Sequence, residues 1–435
     1  MQRAIGPALK MLNQLAGSRL LARFGSSSAL ERLLYQGGRS VVGAAAAIGK
    51  RARPVLAVLE PVRMRGGQAP PSVFDLTPTD AQLLVRESMQ RFARTRLRPS
   101  ALAADESGAP PAELLEEAHA LGLTQLAVPE ALGGAGDVRS PITFALVAED
   151  LARGDMGLAL AALAPVGVVH ALVDQGTAAQ QGEYLPAFVG ESFYPAAIAL
   201  LEPRPLFDPY HLATQATPQG HGFVIRGEKA LVPLAEDAEI LLVVAELFGK
   251  PEAFLVERGT PGLRITPEPT MGLRAAKLGR VLLDGVRVEA SARLGGNAGL
   301  DAARLIDLAR IGWGALAVGT CDAVLEYVKS YCSERVAFGE PIVHRQSVAF
   351  AIANIALELD GMRLLVYRAA SRAEQGLPFQ REAALARIQC AHHGMQIGTD
   401  GVQLLGGHGF VKEHPVELWY RQLRAIGVVE GALSV

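Results

Sequence analysis

The feature that most limits the fold is a change of hydrophobic period in the middle of the chain. Before about residue 193, apolar residues recur at helical spacing: Leu84, Val85, Met89 and Phe92 share one face, and Ala112–Leu121 carries more of the pattern. From about 194 to 296 they gather in short β-type runs, Gly222–Gly227, Ile240–Ala245, Ala253–Val256 and Val281–Val288. Turn pairs such as Pro261-Gly262 and Asp284-Gly285 split these runs. From about Asp301 the helical period returns in four long segments, separated near Gly339–Pro341, Gly376–Pro378 and Gly406-Gly407. An α+β chain, mostly α, is expected: a helical domain over 73–193, a small β domain over 194–296 and a helical bundle over 297–435.

Local signals refine this picture. Thr77 is the expected N-cap of the first helix, with Pro78 at a tolerated position and Asp80 three residues after the cap. Met156–Val173 is uncharged and long enough to raise the question of a membrane span. Pro165, His170 and the many Ala and Gly residues favour a buried helix pair instead.

Residues 1–72 stand apart as a basic extension and linker. Positions 1–66 hold eleven Lys and Arg against Glu31 and Glu60, a net +9 in a chain whose overall charge is -2. Leu9, Leu12, Leu15, Leu20, Leu21 and Phe24 give it an apolar stripe. A peripheral helix on an anionic membrane or a docking helix suits this pattern, as do an organelle transit peptide and a plain solvated extension. The expected location is cytoplasmic with membrane association, or alternatively the mitochondrial matrix. Gly66–Pro71 reads as the linker.

Several chemistries are excluded. Cys321, Cys332 and Cys390 form no CxxC pair, so neither a disulfide framework nor a structural zinc site is expected. No phosphate loop, nucleophile elbow, HExxH helix or dinucleotide GxGxxG occurs. His392 and His393 are adjacent and face different ways on a helix, which does not suit a metal. No metal and no nucleic-acid partner is expected.

The order of these segments and their wording resemble the acyl-CoA dehydrogenases, flavoenzymes that desaturate acyl-CoA thioesters. The resemblance runs from Leu76 to Val435. It is carried by Leu126–Gly136 (LAVPEALGGAG), by Gln175-Gly176 through Tyr184–Pro186, and by Arg335–Gly339 followed by Ile342 and Gln346. Gln403–Phe410 (QLLGGHGF) and Val429-Glu430-Gly431 complete it. The resemblance implies that Glu430 is the base removing the α-proton while the β-hydrogen leaves as hydride to FAD. It also implies that Asp307 and Arg310 contact the acyl-CoA. Arg335, Phe338, Gln346, Gln403, Gly406 and Gly407 would then hold the FAD of a neighbouring subunit. Arg offers a bidentate fork to diphosphate, and paired glycines allow close backbone approach. Expected partners are an acyl-CoA substrate, an electron-transferring flavoprotein or similar acceptor, and further subunits in a dimer or tetramer.

Ile426–Val429 and Gly431-Ala432 surround Glu430 with apolar residues that are expected to desolvate it. The sequence stops five residues later, so a frayed end is also expected there.

The departures from the family pattern lie on the other side of the cofactor. Where the family has a TEPxAGSD loop, this chain reads Leu201–Asp208 (LEPRPLFD), keeping only Glu202, Pro203 and Asp208. Where the family has GxKxWIT, it reads Gly227–Pro233 (GEKALVP), without the Trp or the Thr. Four contacts are lost at Leu201, Phe207, Leu231 and Pro233. At ~0.5–1.5 kcal/mol each they would weaken cofactor binding about a thousandfold. Two alternatives to a working dehydrogenase therefore stay open: a degenerate scaffold or complementary subunit of a hetero-oligomer, and a flavin monooxygenase of the same fold.

Overall fold

A computed structural model describes residues 77–136 and 139–435. The basic extension and linker, with their membrane, partner and transit readings, lie outside the described residues.

The first helix, α1 (Asp80–Phe92), passes through a π-helical turn at Ala93–Leu97 into α2 (Arg98–Ser107). Its N-cap is Thr79 rather than Thr77. The Thr79 hydroxyl accepts from Gln82 N at 3.2 Å while Gln82 Oε1 accepts from Thr79 N at 2.9 Å. Only with Thr79 does a Gln fall at the third position and close this reciprocal box. Then follow α3 (Ala112–Ala120), α4 (Leu123–Ala127), α5 (Pro141–Ala152), α6 (Met156–Gln175) and α7 (Ala178–Phe188).

The uncharged run is one helix, not a pair. Asp155 caps α6 by accepting from Leu158 N at 2.8 Å, and the helix continues through Pro165. Proline removes one backbone donor, but the helix is enclosed by protein on all sides and does not break. It is long and apolar enough to cross a membrane, yet 94% of its most apolar window is buried inside the protein. A helix hydrophobic all round is what the centre of a large core requires.

The middle region is a seven-stranded sheet. β1 (Ala196–Ala199) pairs in parallel with β4 (Ile240–Leu247), which pairs antiparallel with β5 (Lys250–Glu257). β2 (Gln215–Gln219), β3 (Gly222–Val232), β7 (Gly279–Glu289) and β6 (Leu263–Pro267) complete it in that order. Asp284-Gly285 is not a turn between strands. Ile225 pairs with Val286 and Arg226 with Asp284, so Gly285, at φ 71°, is an extra residue bulging from β7.

Three long helices follow, not four: α8 (Ala302–Glu334), α9 (Gln346–Glu374) and α10 (Gln380–Leu405). The fourth segment is a 3-10 turn at Gly406–Phe410 leading into the short α11 (Val416–Leu423). A hairpin of β8 (Val336–Ala337) and β9 (Glu340–Pro341) joins α8 to α9. The central helix α8 packs against α5, α9 and α10. This places its first turns beside the β region and its last turns beside Gly406–Phe410.

Candidate active site

Glu430 reaches the core through a 3-10 turn at Arg424–Gly427 and an irregular segment beyond it. Its carboxylate lies between α8 and α10 and its side chain is 14% exposed. Arg310 of α8 approaches Glu430 Oε1 with Nη2 at 3.2 Å, and Arg387 of α10 approaches the same oxygen with Nε at 3.8 Å. The expected apolar surroundings are thus corrected. The neighbours of Glu430 in sequence are apolar, but its neighbours in space are two guanidiniums delivered by the bundle.

The backbone on both sides of the carboxylate is clamped. Arg387 Nη2 donates to the Val429 carbonyl, and the Trp313 indole N–H donates to the Gly431 carbonyl at 2.7 Å. The frayed end is also corrected. Leu433, Ser434 and Val435 are buried, because this segment packs inside the protein rather than outside it.

Asp307 and Arg310 share one face of α8 and pair at 3.5 Å, as their spacing implies. Burial pushes the Asp307 carboxyl up to about 6, against the opposing pull of Arg310 and with Glu430 adding to the rise. Burial works against the Arg310 charge, but Glu430 outweighs it and holds the guanidinium above its ordinary value. Burial pulls Arg387 below its ordinary value, with Glu430 opposing. Arg387 Nη1 and Tyr210 Oη are buried polar atoms with no hydrogen-bond partner, and Asp307 Oδ1 has only its 3.5 Å ion pair with Arg310. Such atoms are rare in folded chains, and here they cluster about one carboxylate. Tyr210 comes from the loop before β2, and burial raises its phenol, with Asp307 and Glu430 adding to the rise and Arg310 opposing it.

Sequence reasoning missed Arg387, Trp313 and Tyr210. For Arg387 a signal existed: it is a charge set among Ala383, Ala386 and Cys390, residues of the buried face of α10.

The six residues expected to serve a neighbour's cofactor all face outward at the far end of α8. Arg335 is the C-cap of α8, and Phe338, 96% exposed, tips the β8–β9 hairpin. Gln346 opens α9. Tyr331 Oη lies 2.8 Å from His408 Nδ1 and Tyr327 Oη 2.7 Å from His414 Nδ1, which ties this end to the turn carrying Gly406 and Gly407. A Cβ added at either glycine would meet nothing within 4 Å. The side chains of Arg335, Gln346 and Gln403 are exposed and engaged in no ion pair or hydrogen bond. An uncommitted guanidinium, two free amides and an open glycine pair suit a diphosphate with its attached groups.

The β-domain side differs. Glu202 accepts from Ala213 N and Thr214 N, both at 2.8 Å, and pairs with the buried Lys229 at 3.0 Å. Arg204 turns back on Glu202 at 3.4 Å and on the His211 carbonyl, and Glu268 occupies the Leu231 N–H at 2.8 Å. A cavity of about 190 Å³ between this side and Val428-Val429 is walled by Leu231, Leu273 and Leu278. Among the described residues no cluster of His, Cys, Asp and Glu could hold a metal ion.

Family models for the acyl-CoA dehydrogenase N-terminal, middle and C-terminal domains match residues 79–192, 197–286 and 297–435. The probable acyl-CoA dehydrogenase YngJ of Bacillus subtilis is 32% identical over 83% of this chain and 97% of its own length. A short-chain specific acyl-CoA dehydrogenase of Megasphaera elsdenii is 31% identical over 83% and 97%. The solved structure of butyryl-CoA dehydrogenase from Megasphaera elsdenii superposes with a TM-score of 0.76 at 30% identity, over 82% of this chain and 96% of that one. A helical, β and helical architecture, matched along nearly its whole described length, makes this chain a member of the acyl-CoA dehydrogenase family.

Proposed function

We propose that the chain catalyses α,β-desaturation of an acyl-CoA thioester, with Glu430 taking the α-proton. The observation that carries this reading is the clamped Glu430, held through the carbonyls on either side and flanked by Arg310 and Arg387. A base must sit within hydrogen-bond reach of the proton it removes, and fixing its backbone fixes that reach. Arg310 contacts the carboxylate at 3.2–3.4 Å, close enough to orient it and long enough to leave lone pairs for a proton. Arg387 and Tyr210 offer unpaired polar atoms, and Asp307 a carboxyl, to the bound thioester.

FAD, when bound, supplies the acceptor for the hydride that leaves Cβ. Arg335, Phe338, Gln346, Gln403, Gly406 and Gly407 would hold it for a neighbouring chain. An electron-transferring flavoprotein or similar acceptor is the expected oxidant. Anaerobic addition of butyryl-CoA to the FAD-loaded protein should bleach the flavin absorbance. A flavin that stays oxidised with every acyl-CoA contradicts the reading.

A second reading, a complementary subunit in a hetero-oligomer, is favoured by one specific observation. On the β-domain side Arg204 and the Leu231 N–H are already committed within the chain, while the outward set is free. Such a chain would complete the cofactor site of a different subunit.

A further inference from the structure

The five residues after Glu430 are arranged in an unusual way. Gly431 and Ala432 are both left-handed, at φ 71° and 65°, which turns the chain inward directly after the base. A positive φ is uncommon for alanine and persists only where the surroundings impose it. Gly431 is required here, since a Cβ would come within 2.6 Å of Leu200 Cβ. Beyond the turn, Leu433 and Val435 are each 1% exposed and lie against α8.

Their walls are cut to fit. A Cβ at Gly312 of α8 would come within 2.8 Å of Leu433 and 3.1 Å of Val435. One at Gly167 of α6 would lie 3.2 Å from Ser434 N. His170 Nδ1 is 2.9 Å from the Ser434 carbonyl, and Arg139 donates to the Val435 carbonyl. At this far end His170 Nε2 and Arg139 Nη1 are buried without partners. The segment therefore fills an apolar slot between α6 and α8 that opens beside Glu430 and leaves the polar atoms at its end only partly satisfied.

We propose that Gly431–Val435 occupies the space an acyl chain would enter beyond Cβ, so that Leu433 and Val435 set the acyl length the site accepts. This rests on the reading of Glu430 as the base. A substrate whose α-carbon lies at Glu430 must bury the rest of its chain next to that carboxylate, and the slot there is already filled by side chains of this polypeptide. Short acyl groups stop before Leu433, and longer ones meet it. Shortening Leu433 or Val435 vacates room for methylenes. Each added methylene that finds such room should tighten binding about fourfold, the equivalent of roughly 0.8 kcal/mol.

Calorimetric binding of butyryl-, hexanoyl- and octanoyl-CoA to the full chain, the Leu433→Ala variant and the Leu433→Ala/Val435→Ala variant tests this. The expected result is a wild type that prefers butyryl-CoA and variants that favour hexanoyl- or octanoyl-CoA by at least ~10-fold. If the double variant does not fold, Val435→Ala alone and Gly312→Ala supply the comparison. The first should lengthen the preferred chain, and the second should weaken hexanoyl more than butyryl binding. Identical chain-length profiles in wild type and variants overturn the proposal while leaving Glu430 as the base. So does tight octanoyl binding to wild type with the Leu433–Val435 amides still protected from hydrogen exchange. Failure of every acyl-CoA to bind any of these proteins overturns both readings.

Discussion

Glu430, Asp307 and Arg310 meet at one point although 120 residues separate the two ends of the Arg310–Glu430 pair. Their types and register were legible in the sequence. The second guanidinium was not, because Arg387 acquires its partner only when α10 packs beside α8. Burial raises the Asp307 carboxyl to about 6 in the folded chain, against about 3.9 when unfolded. Between those values the native state holds more protons, so stability falls as pH rises through that window. Thermal unfolding of wild type and Asp307→Asn should show this directly. The wild-type Tm relative to the variant should decline between about pH 4 and 6 and level off above about 7. A difference that rises or stays flat over pH 4–6 would contradict the assignment of a raised pKa to Asp307.

The same contrast holds for whole elements. Strands β3, β4, β5 and β7 announce themselves by apolar runs, whereas β1, β2 and β6 do not. β1 (AAIA) is buried along its whole length and shows no alternation, and β2 (QATPQ) buries only Ala216. The β7 bulge is invisible because Asp-Gly signals a turn unless a long partner strand holds both sides. Helix α8 shows how closely elements meet. A methyl at Gly319 would overlap the Glu149 carbonyl of α5 and crowd Ala152, so the glycine sets the spacing of these helices. Gly319→Ala gains helix propensity, but it cannot be accommodated without moving backbone. The expected net loss is about 3 kcal/mol or more, at or above the upper end for overpacked cores. Urea unfolding checks it, and a midpoint equal to wild type would show that the helices separate freely.

At the scale of the molecule, the chain carries an uncommitted donor set at the far end of α8 and a β-domain side whose Arg204 and Leu231 N–H are already engaged, and the proposed cofactor site would draw on both. Family membership and domain order were legible because they rest on contiguous motifs. The committed state of Arg204 and the inward turn at Gly431–Ala432 were not, because both depend on packing between distant segments. Flavin analysis separates the two arrangements. A homo-oligomer carrying about one FAD per chain supports the working dehydrogenase. A content well below one that rises with a complementary subunit supports the hetero-oligomer. In either case Arg335→Ala should weaken FAD retention by roughly 10- to 100-fold, the scale of a charge-assisted hydrogen bond. Unchanged flavin content would remove Arg335 from the cofactor site. The most direct test of the base is anaerobic single-turnover reduction of the FAD-loaded assembly by butyryl-CoA, comparing wild type with Glu430→Gln. The amide keeps the shape and the Arg310 neighbour while removing the basic oxygen, so the rate should fall by at least ~100-fold. An unchanged rate would show that another group takes the α-proton.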